Sequence, residues 1–402
     1  MIFYSVAIYV YTFFIYLISP FHQKAKKWVQ GRKDGIKKLK EANMQECIWF
    51  HCSSLGEFEQ GRPLMAHIRT LHPEYKILLT FFSPSGYEQK KHEPLADYVM
   101  YLPSDTAQHA KAFLEAAKPR IAVFVKYDLW LHVLFACHKR EVPFFLISAE
   151  FRASHWLFHP LAKPYRAVLT CFTHIFVQSR SSYDLLLKQG CSRVTLAGDT
   201  RIDRVLEIRE QPFSDDIISR FKADRPLLIA GSIWPDDMQI LFGKYIELPF
   251  NAALVIVPHE IEPAALNSLT KRIKQPFWVY SRPDTHVNQA SMLVIDTMGM
   301  LSRLYRYANW AYIGGGFGKN VHNILEPAVY GIPVCFGPNH KKFPEASWLI
   351  AEGQAQMLNS ADDLSQFIQN NPPVSLPRPV SPSVFSRRGA VQKIYSSLSA
   401  YL

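Results

Sequence analysis

The sequence predicts an α/β protein of two successive parallel-sheet domains preceded by an apolar helix. From Cys47 onward, short runs rich in Ile, Val and Phe alternate with stretches long enough for a helix, the rhythm of βαβ units in a sheet covered on both faces. That rhythm stops at the charged segment 206–225 and then starts again. The 402 residues also exceed what one hydrophobic core usually organises.

The apolar helix comes first. Residues 1–23 contain no Asp, Glu, Lys or Arg and are dominated by Ile, Phe, Tyr and Val. That length is just enough to cross a bilayer. Lys24, Lys26, Lys27, Arg32, Lys33, Lys37, Lys38 and Lys40 follow directly, opposed only by Asp34. A secretory signal has the reverse arrangement, with positive charge before the apolar stretch and a small-residue cleavage site behind it. The expectation is a membrane anchor, with the positive-inside rule leaving the remaining chain on the cytoplasmic side. A helix lying in the interface, its lysines on anionic head groups, satisfies the same pattern.

The strands of the first domain are expected at 47–52, 77–82, 98–102, 121–125, 144–147, 174–178 and 194–196, and those of the second at 227–230, 253–257, 277–280, 292–295, 310–313 and 333–336. This divides the chain into an anchor (1–23), an N-terminal Rossmann-like domain (24–210) and a C-terminal one (211–402). A Pro- and Ser-rich loop at 371–383 leads to a last helix over 386–402, a candidate to pack back on the first domain. Two such domains imply a central cleft, where ligands of open α/β sheets bind.

The net charge of +11 suits nucleic acid, anionic lipid or phosphorylated substrates. Nucleic acid is disfavoured because aromatics are not interleaved with the basic cluster as stacking platforms. The six cysteines show no C-x-x-C spacing and sit in or beside apolar runs, as buried free thiols do. No zinc signature, Walker A or strict G-x-G-x-x-G is present.

Four segments carry candidate chemistry. Ser53-Ser54-Leu55-Gly56-Glu57 follows the first strand, so Glu57 stands at a helix N-terminus, which favours its ionised form and its use as a base. Merely complementing the helix dipole explains Glu57 equally. Gly231-Ser232-Ile233-Trp234-Pro235-Asp236-Asp237 opens the second domain, and Ser232 with a helix start can bind phosphate; capping and turn formation also account for these residues. Gly314-Gly315-Gly316 leads through Lys319 to a helix expected to carry Asn323 and Glu326 in its first turns, with Glu326 suited to accept from ribose hydroxyls. The basic turn Gly337-Pro338-Asn339-His340-Lys341-Lys342 follows the next strand.

Together these segments resemble the 3-deoxy-D-manno-oct-2-ulosonic acid (Kdo) transferases that act on lipid A precursors. The resemblance runs in chain order from about residue 48 to 350. It rests on Trp49-Phe50-His51-Cys52-Ser53-Ser54-Leu55-Gly56-Glu57, Lys126-Tyr127-Asp128-Leu129-Trp130, Gly198-Asp199-Thr200-Arg201-Ile202-Asp203, Val257-Pro258-His259, Asp296-Thr297-Met298-Gly299 and His322-Asn323-Ile324-Leu325-Glu326-Pro327. It implies a GT-B fold and an inverting, metal-independent transfer without cofactor, from CMP-Kdo to a phosphorylated lipid A precursor (lipid IVA) at an anionic membrane surface, in lipopolysaccharide biosynthesis. By the same resemblance Glu57 is the general base, and Asp128 and Arg201 support the transition state. Pro258, His259, Met298, Gly299, Met300, Asn323, Ile324, Leu325 and Glu326 then hold CMP. The family often has Arg where His259 stands, Lys at Arg201, Glu-x-Glu at Lys126 and Asp128, and Glu at Met300. Two other readings fit the residues: another GT-B sugar-nucleotide enzyme (a UDP-sugar transferase or epimerase), and a non-catalytic membrane-tethered binding protein.

Overall fold

The computed structural model describes residues 1–242, 251–282 and 290–402. The chain divides into two compact units, one of Met1–Asp203 with Arg388–Leu402 and the other of Arg204–Arg387.

The N-terminal unit is a sheet of seven parallel strands: β1 (Ile48–Cys52), β2 (Ile77–Phe81), β3 (Tyr98–Tyr101), β4 (Ile121–Val125), β5 (Phe144–Ala149), β6 (His174–Val177) and β7 (Val194–Leu196). They lie in the order β3-β2-β1-β4-β5-β6-β7. Alternate side chains of a strand enter opposite faces, and β1 shows this directly. Trp49 joins a core with Phe113 and Phe124, at ring distances of 4.8 and 5.1 Å, while Ile48 and Phe50 join the core on the other face. With helices on both faces, β1, β2 and β4 are buried throughout, which is why they read as continuous apolar runs.

The C-terminal unit repeats the plan. Its strands are β8 (Leu227–Ile233), β9 (Ala253–Pro258), β10 (Phe277–Val279), β11 (Met292–Val294), β12 (Trp310–Ile313), β13 (Val334–Phe336) and β14 (Ala355–Met357). All are parallel, in the order β10-β11-β9-β8-β12-β13-β14. In each sheet the first strand is flanked by the second on one side and, on the other, by the strand reached after the chain reverses direction. The loops after β1 and β4, and after β8 and β12, therefore stand at topological switch points, where such sheets take their ligands.

The Ile2–Ile18 helix belongs to the N-terminal unit. Its half-buried residues, Tyr4, Ser5, Ile8, Thr12 and Ile15, recur at helical spacing and form one docked stripe. Tyr4 donates from its hydroxyl to Asp105 Oδ2 at 2.6 Å, and Ser5 Oγ meets His132 Nε2 at 2.9 Å. The remaining surface is exposed and apolar: Ile2, Phe3, Val6, Val10, Phe13, Phe14 and Leu17. Among the described residues no single helix is long and apolar enough to cross a membrane; Ile2–Ile18 and Gln23–Arg32 pass that test only as a pair bent by 116°.

Three elements differ from the sequence expectation. The strand β14, Ala-Gln-Met with two exposed residues, has no apolar run to announce it. The helix expected to carry Asn323 is one turn, Leu325–Ala328, and Asn323 precedes it; Gly331 at φ +67° and Pro333 end any continuation. The last helix starts later than expected, at Ala390 (Ala390–Leu398), after Gly389 at φ +94°, and a separate short helix, Pro382–Ser386, precedes it. Asp203 accepts from the Gly389 and Val391 N–H groups at 2.5 and 2.8 Å, which anchors the last helix on the N-terminal unit.

Candidate active site

At the switch point of the N-terminal sheet, the turn after β1 meets the turn after β4. Ser53 donates to Asp128 from its backbone N–H (2.8 Å) and its hydroxyl (2.6 Å). Glu57 stands in the first turn of the Leu55–Leu71 helix, half-buried. Ser54 and Glu57 have capping-box spacing, but the box does not form: the Ser54 hydroxyl donates to the Glu57 carboxylate, and Ser54 makes no side-chain cap. Glu57 is thus not consumed in capping its own helix.

Beneath this turn lies a buried network. Trp130 Nε1–H donates to His51 Nε2 at 2.8 Å, so the imidazole proton sits on Nδ1 and is given to Thr80 Oγ1, also at 2.8 Å. Thr80 accepts from Trp49 Nε1–H at 2.8 Å as well. His51 is fully buried, and burial together with the nearby Arg32 pulls its pKa down to about 3. With Nε2 occupied by the Trp130 donor, the 3.7 Å approach of His51 to Asp128 joins a neutral ring to a carboxyl group and is no ion pair. The carboxyl of Asp128 is raised well above the usual range, first by burial and then by the negative charge of Glu57, against the opposing Ser53 hydrogen bonds and Lys126. Lys126, at φ +65°, is held in the left-handed region that β-carbons disfavour, in the turn that delivers Asp128.

Arg201 lies at the start of the Thr200–Glu210 helix and is gripped by Asp199, with Nη2 at 2.6 Å and Nε at 3.0 Å from Oδ2. Thr200 ties that start to the Leu55–Leu71 helix by donating to the Gln60 carbonyl at 2.6 Å.

In the C-terminal unit, Ser232 is not at a helix start. It lies inside β8 at φ +55°, in a register shift between Gly231 and Ile233. The helical turn comes later, at Pro235–Asp237. Asp237 is fully buried and accepts from Trp234 N–H (2.9 Å), Gly315 N–H (2.9 Å) and the Tyr312 hydroxyl (2.8 Å), so it fastens the turn after β8 to the turn after β12. A β-carbon on Gly316 would lie 2.6 Å from the Gly337 nitrogen, so Gly316 is there for contact between two loops of this unit.

The face of this turn is aromatic. Trp234 Nε1–H donates to His322 Nε2 at 2.7 Å, nearly coplanar with it, and the exposed His259 ring stacks across both at 4.4 and 4.3 Å. Lys319 Nζ stands 4.0 Å over the Trp234 ring. Burial, then His259 and Lys319, hold His322 down to about 4. Pro258 is buried at the end of β9. Met298 is 70% exposed, Gly299 adopts φ +83°, and Met300 receives the Thr297 hydroxyl on its sulfur at 2.8 Å. Asn323 donates from Nδ2 to Glu326 Oε1 at 3.0 Å and accepts from Leu325 N–H at 3.2 Å, while Ile324 and Leu325 are buried. Among the described residues, no three His, Cys, Asp or Glu side chains gather as a metal-ligand group.

Sequence reasoning did not single out His51, Trp130, Trp234, Asp237 or His322. A histidine inside an apolar strand and a tryptophan just after a strand were the available signals, and both also fit a packed core.

Residues 27–204 match the family model described as 3-Deoxy-D-manno-octulosonic-acid transferase (kdotransferase). Among curated proteins, the chain is similar to the 3-deoxy-D-manno-octulosonic acid transferase of Haemophilus influenzae, 25% identical over 88% of this chain and 87% of that protein. It is also similar to that of Aquifex aeolicus, 27% identical over 77% and 82%. Solved structures share the fold: UDP-GlcNAc 2-epimerase of Methanocaldococcus jannaschii has a TM-score of 0.58 at 15% identity, covering 89% of this chain and 100% of that one. MurG of Acinetobacter baumannii has 0.53 at 9% identity, covering 89% and 99%. With two parallel Rossmann-like sheets, Glu57 and Asp128 at the switch point of the first and Ser232 and the glycine turn at 314–316 at that of the second, the chain has the GT-B fold and is a glycosyltransferase similar to the Kdo transferases.

Proposed function

We propose that this protein transfers Kdo from CMP-Kdo to a phosphorylated lipid A precursor such as lipid IVA in lipopolysaccharide biosynthesis, by an inverting displacement that uses neither metal nor cofactor. The observation that carries the reading is the pair of carboxyl groups at the first switch point. Burial and the neighbouring Glu57 hold the Asp128 carboxyl well above its ordinary range, and Glu57, which accepts from the Ser54 hydroxyl, is the carboxylate placed to act as the base. Glu57 then takes the proton of an acceptor sugar hydroxyl as that oxygen attacks the anomeric carbon of Kdo and the bond to CMP breaks. On the donor side, the Trp234–His259–His322 stack offers a flat aromatic face for a nucleotide, and Lys319 offers a cation for its phosphate. Glu326, already hydrogen-bonded to Asn323, accepts from ribose.

The lipid character of the acceptor is supported within the N-terminal unit. Rings run from Tyr11 of the exposed apolar helix to Phe82 (6.3 Å), from Phe82 to Trp130 (4.4 Å), and Trp130 is bonded to His51 beside Asp128. A helix docked along one stripe, apolar on its outward face and followed by a lysine cluster, suits a helix lying in the interface of the inner membrane on its cytoplasmic side.

The experiment is Glu57→Gln. The variant keeps the wild-type circular dichroism spectrum and CMP affinity while transfer falls about 100-fold or more, the usual worth of a general base. Transfer at the wild-type rate would remove Glu57 from the mechanism.

A further inference from the structure

A cavity of about 620 Å³ in the C-terminal unit takes no part in the reaction described above. Arg306 precedes β12, and Tyr330 and Ile332 precede β13, so these walls stand at the N-terminal ends of their strands. Ser232, His259 and the glycine turn stand at the other end of the same sheet, in or after the C-terminal ends of β8, β9 and β12. The cavity is therefore separate from the candidate donor site.

Its charge is one-sided. Arg209, Lys222, Arg306 and Arg378 line it, and among the described residues no Asp or Glu does. Of the carboxylates that bear on lining residues, Asp215 and Glu326 have hydrogen-bond donors of their own, and Glu210 offsets part of the charge of Arg209. Asp215, whose N–H donates to the Tyr307 hydroxyl, accepts from Ile218 N–H and the Tyr280 hydroxyl; Glu326, whose charge reaches Tyr305 and Tyr330, accepts from Asn323; Glu210 adjoins Arg209 in sequence. Backbone carbonyls hold the guanidinium groups in place without neutralising them. Arg209 donates to the Arg378 carbonyl at 2.7 Å, and Arg306 to those of Ile208 (3.3 Å) and Gln211 (3.1 Å). Arg378 donates to that of Gly331 at 3.3 Å, and its Nε is buried with no partner.

Arg209 and Arg306 flank one ring, each 6.0 Å from the centre of Tyr330, and Arg306 also lies over Phe213 at 5.4 Å. Like charges kept this close repel each other, and a bound anion turns that repulsion into attraction. Planar guanidinium groups match phosphate oxygens two at a time, and the aromatic walls offer faces to a ring. The volume is in the range of small-molecule sites, about 300–1,000 Å³.

We propose that this cavity is a second ligand site, for a small phosphorylated molecule that carries a ring, of sugar-phosphate or mononucleotide size. The phosphate meets the Arg209–Arg306–Arg378 cluster and Lys222, and the ring packs on Tyr330 and Phe213.

Calorimetric titration of the full chain with inorganic phosphate, glucose 6-phosphate and AMP, each with and without saturating CMP, tests the assignment. One of the two ring-bearing probes is expected to bind with a stoichiometry of one, at least tenfold tighter than inorganic phosphate, in the presence of CMP. Which of the two binds tells a sugar phosphate from a nucleotide. Lys222→Glu and Arg378→Gln, each checked for fold by circular dichroism, are each expected to weaken that binding at least tenfold and to leave CMP affinity unchanged. The proposal is overturned by the absence of saturable binding, by binding that CMP abolishes, by equal affinity for inorganic phosphate, or by binding that a folded variant at either position leaves untouched.

Discussion

At the scale of single residues, the carboxyl pair shows what patterning can and cannot reveal. The position of Glu57 was legible, because a Glu just after a strand and a glycine stands where α/β sheets open to ligands. The environment of its partner was not, because burial decides it: the Asp128 carboxyl is raised well above its ordinary range by its surroundings, and nothing in Lys126-Tyr127-Asp128 encodes burial. His51 was hidden for the same reason, since inside an apolar run it looks like any core residue. Its environment has a measurable consequence. The folded protein keeps His51 neutral down to about pH 3, whereas an unfolded chain protonates it near 6.5. Its contribution to stability is therefore complete above about 6.5 and is lost as the pH falls toward 3, where unfolding takes up a proton. Chemical denaturation between pH 4 and 7.5 should show His51→Gln with a shallower acid-side loss than wild type, by up to about 1.4 kcal/mol per pH unit. Parallel profiles would mean that the ring is solvated or charged in the folded state.

At the scale of elements, strands were easier to read than helices. Strands such as β4 and β9 are unbroken runs of buried apolar residues, and burial on both faces leaves no other pattern. The short helix Leu325–Ala328 and the C-terminal helix depend instead on partners remote in sequence. Asp203 caps Ala390–Leu398 from 186 residues away, which no local rule could show. Asp203→Ala should cost about 1–2 kcal/mol, the usual worth of a capping side chain, read as a shift in the denaturation midpoint. A change under a few tenths of a kcal/mol would mean that the helix is held by packing alone. The Ile2–Ile18 helix is the converse case. Its composition raises the expectation of a membrane anchor, whereas its docked stripe of Tyr4, Ser5, Ile8, Thr12 and Ile15 emerged only in the structure. Phe13→Asp with Phe14→Asp, both on the outward face, should weaken binding to vesicles containing phosphatidylglycerol tenfold or more, since each large apolar side chain contributes about 1.5–3 kcal/mol on burial. Unchanged co-sedimentation would leave the lysine cluster as the whole attachment.

At the scale of the whole molecule, each of the two parallel sheets brings part of its candidate residues, Glu57 and Asp128 in one and Ser232, His259 and Asn323 in the other, to the turns at or beside its first strand. That repetition is why the fold could be read from the alternation of runs and its restart near residues 206–225, while the donor-side detail could not. Asp237 and the Trp234–His259–His322 stack bring together loops after three different strands, and a linear pattern does not say which loops will meet. The net charge of +11 fits the proposed function, which would bring the protein to an anionic surface and to phosphorylated substrates. The central claim is the transfer itself. The measurement is a reaction of the purified protein with CMP-Kdo generated in situ and a tetra-acylated lipid A precursor, with products read by mass. The account predicts a gain of one or more Kdo units that depends on CMP-Kdo. No gain from folded protein with intact CMP-Kdo, or an equal gain of another sugar from a UDP donor, would contradict it.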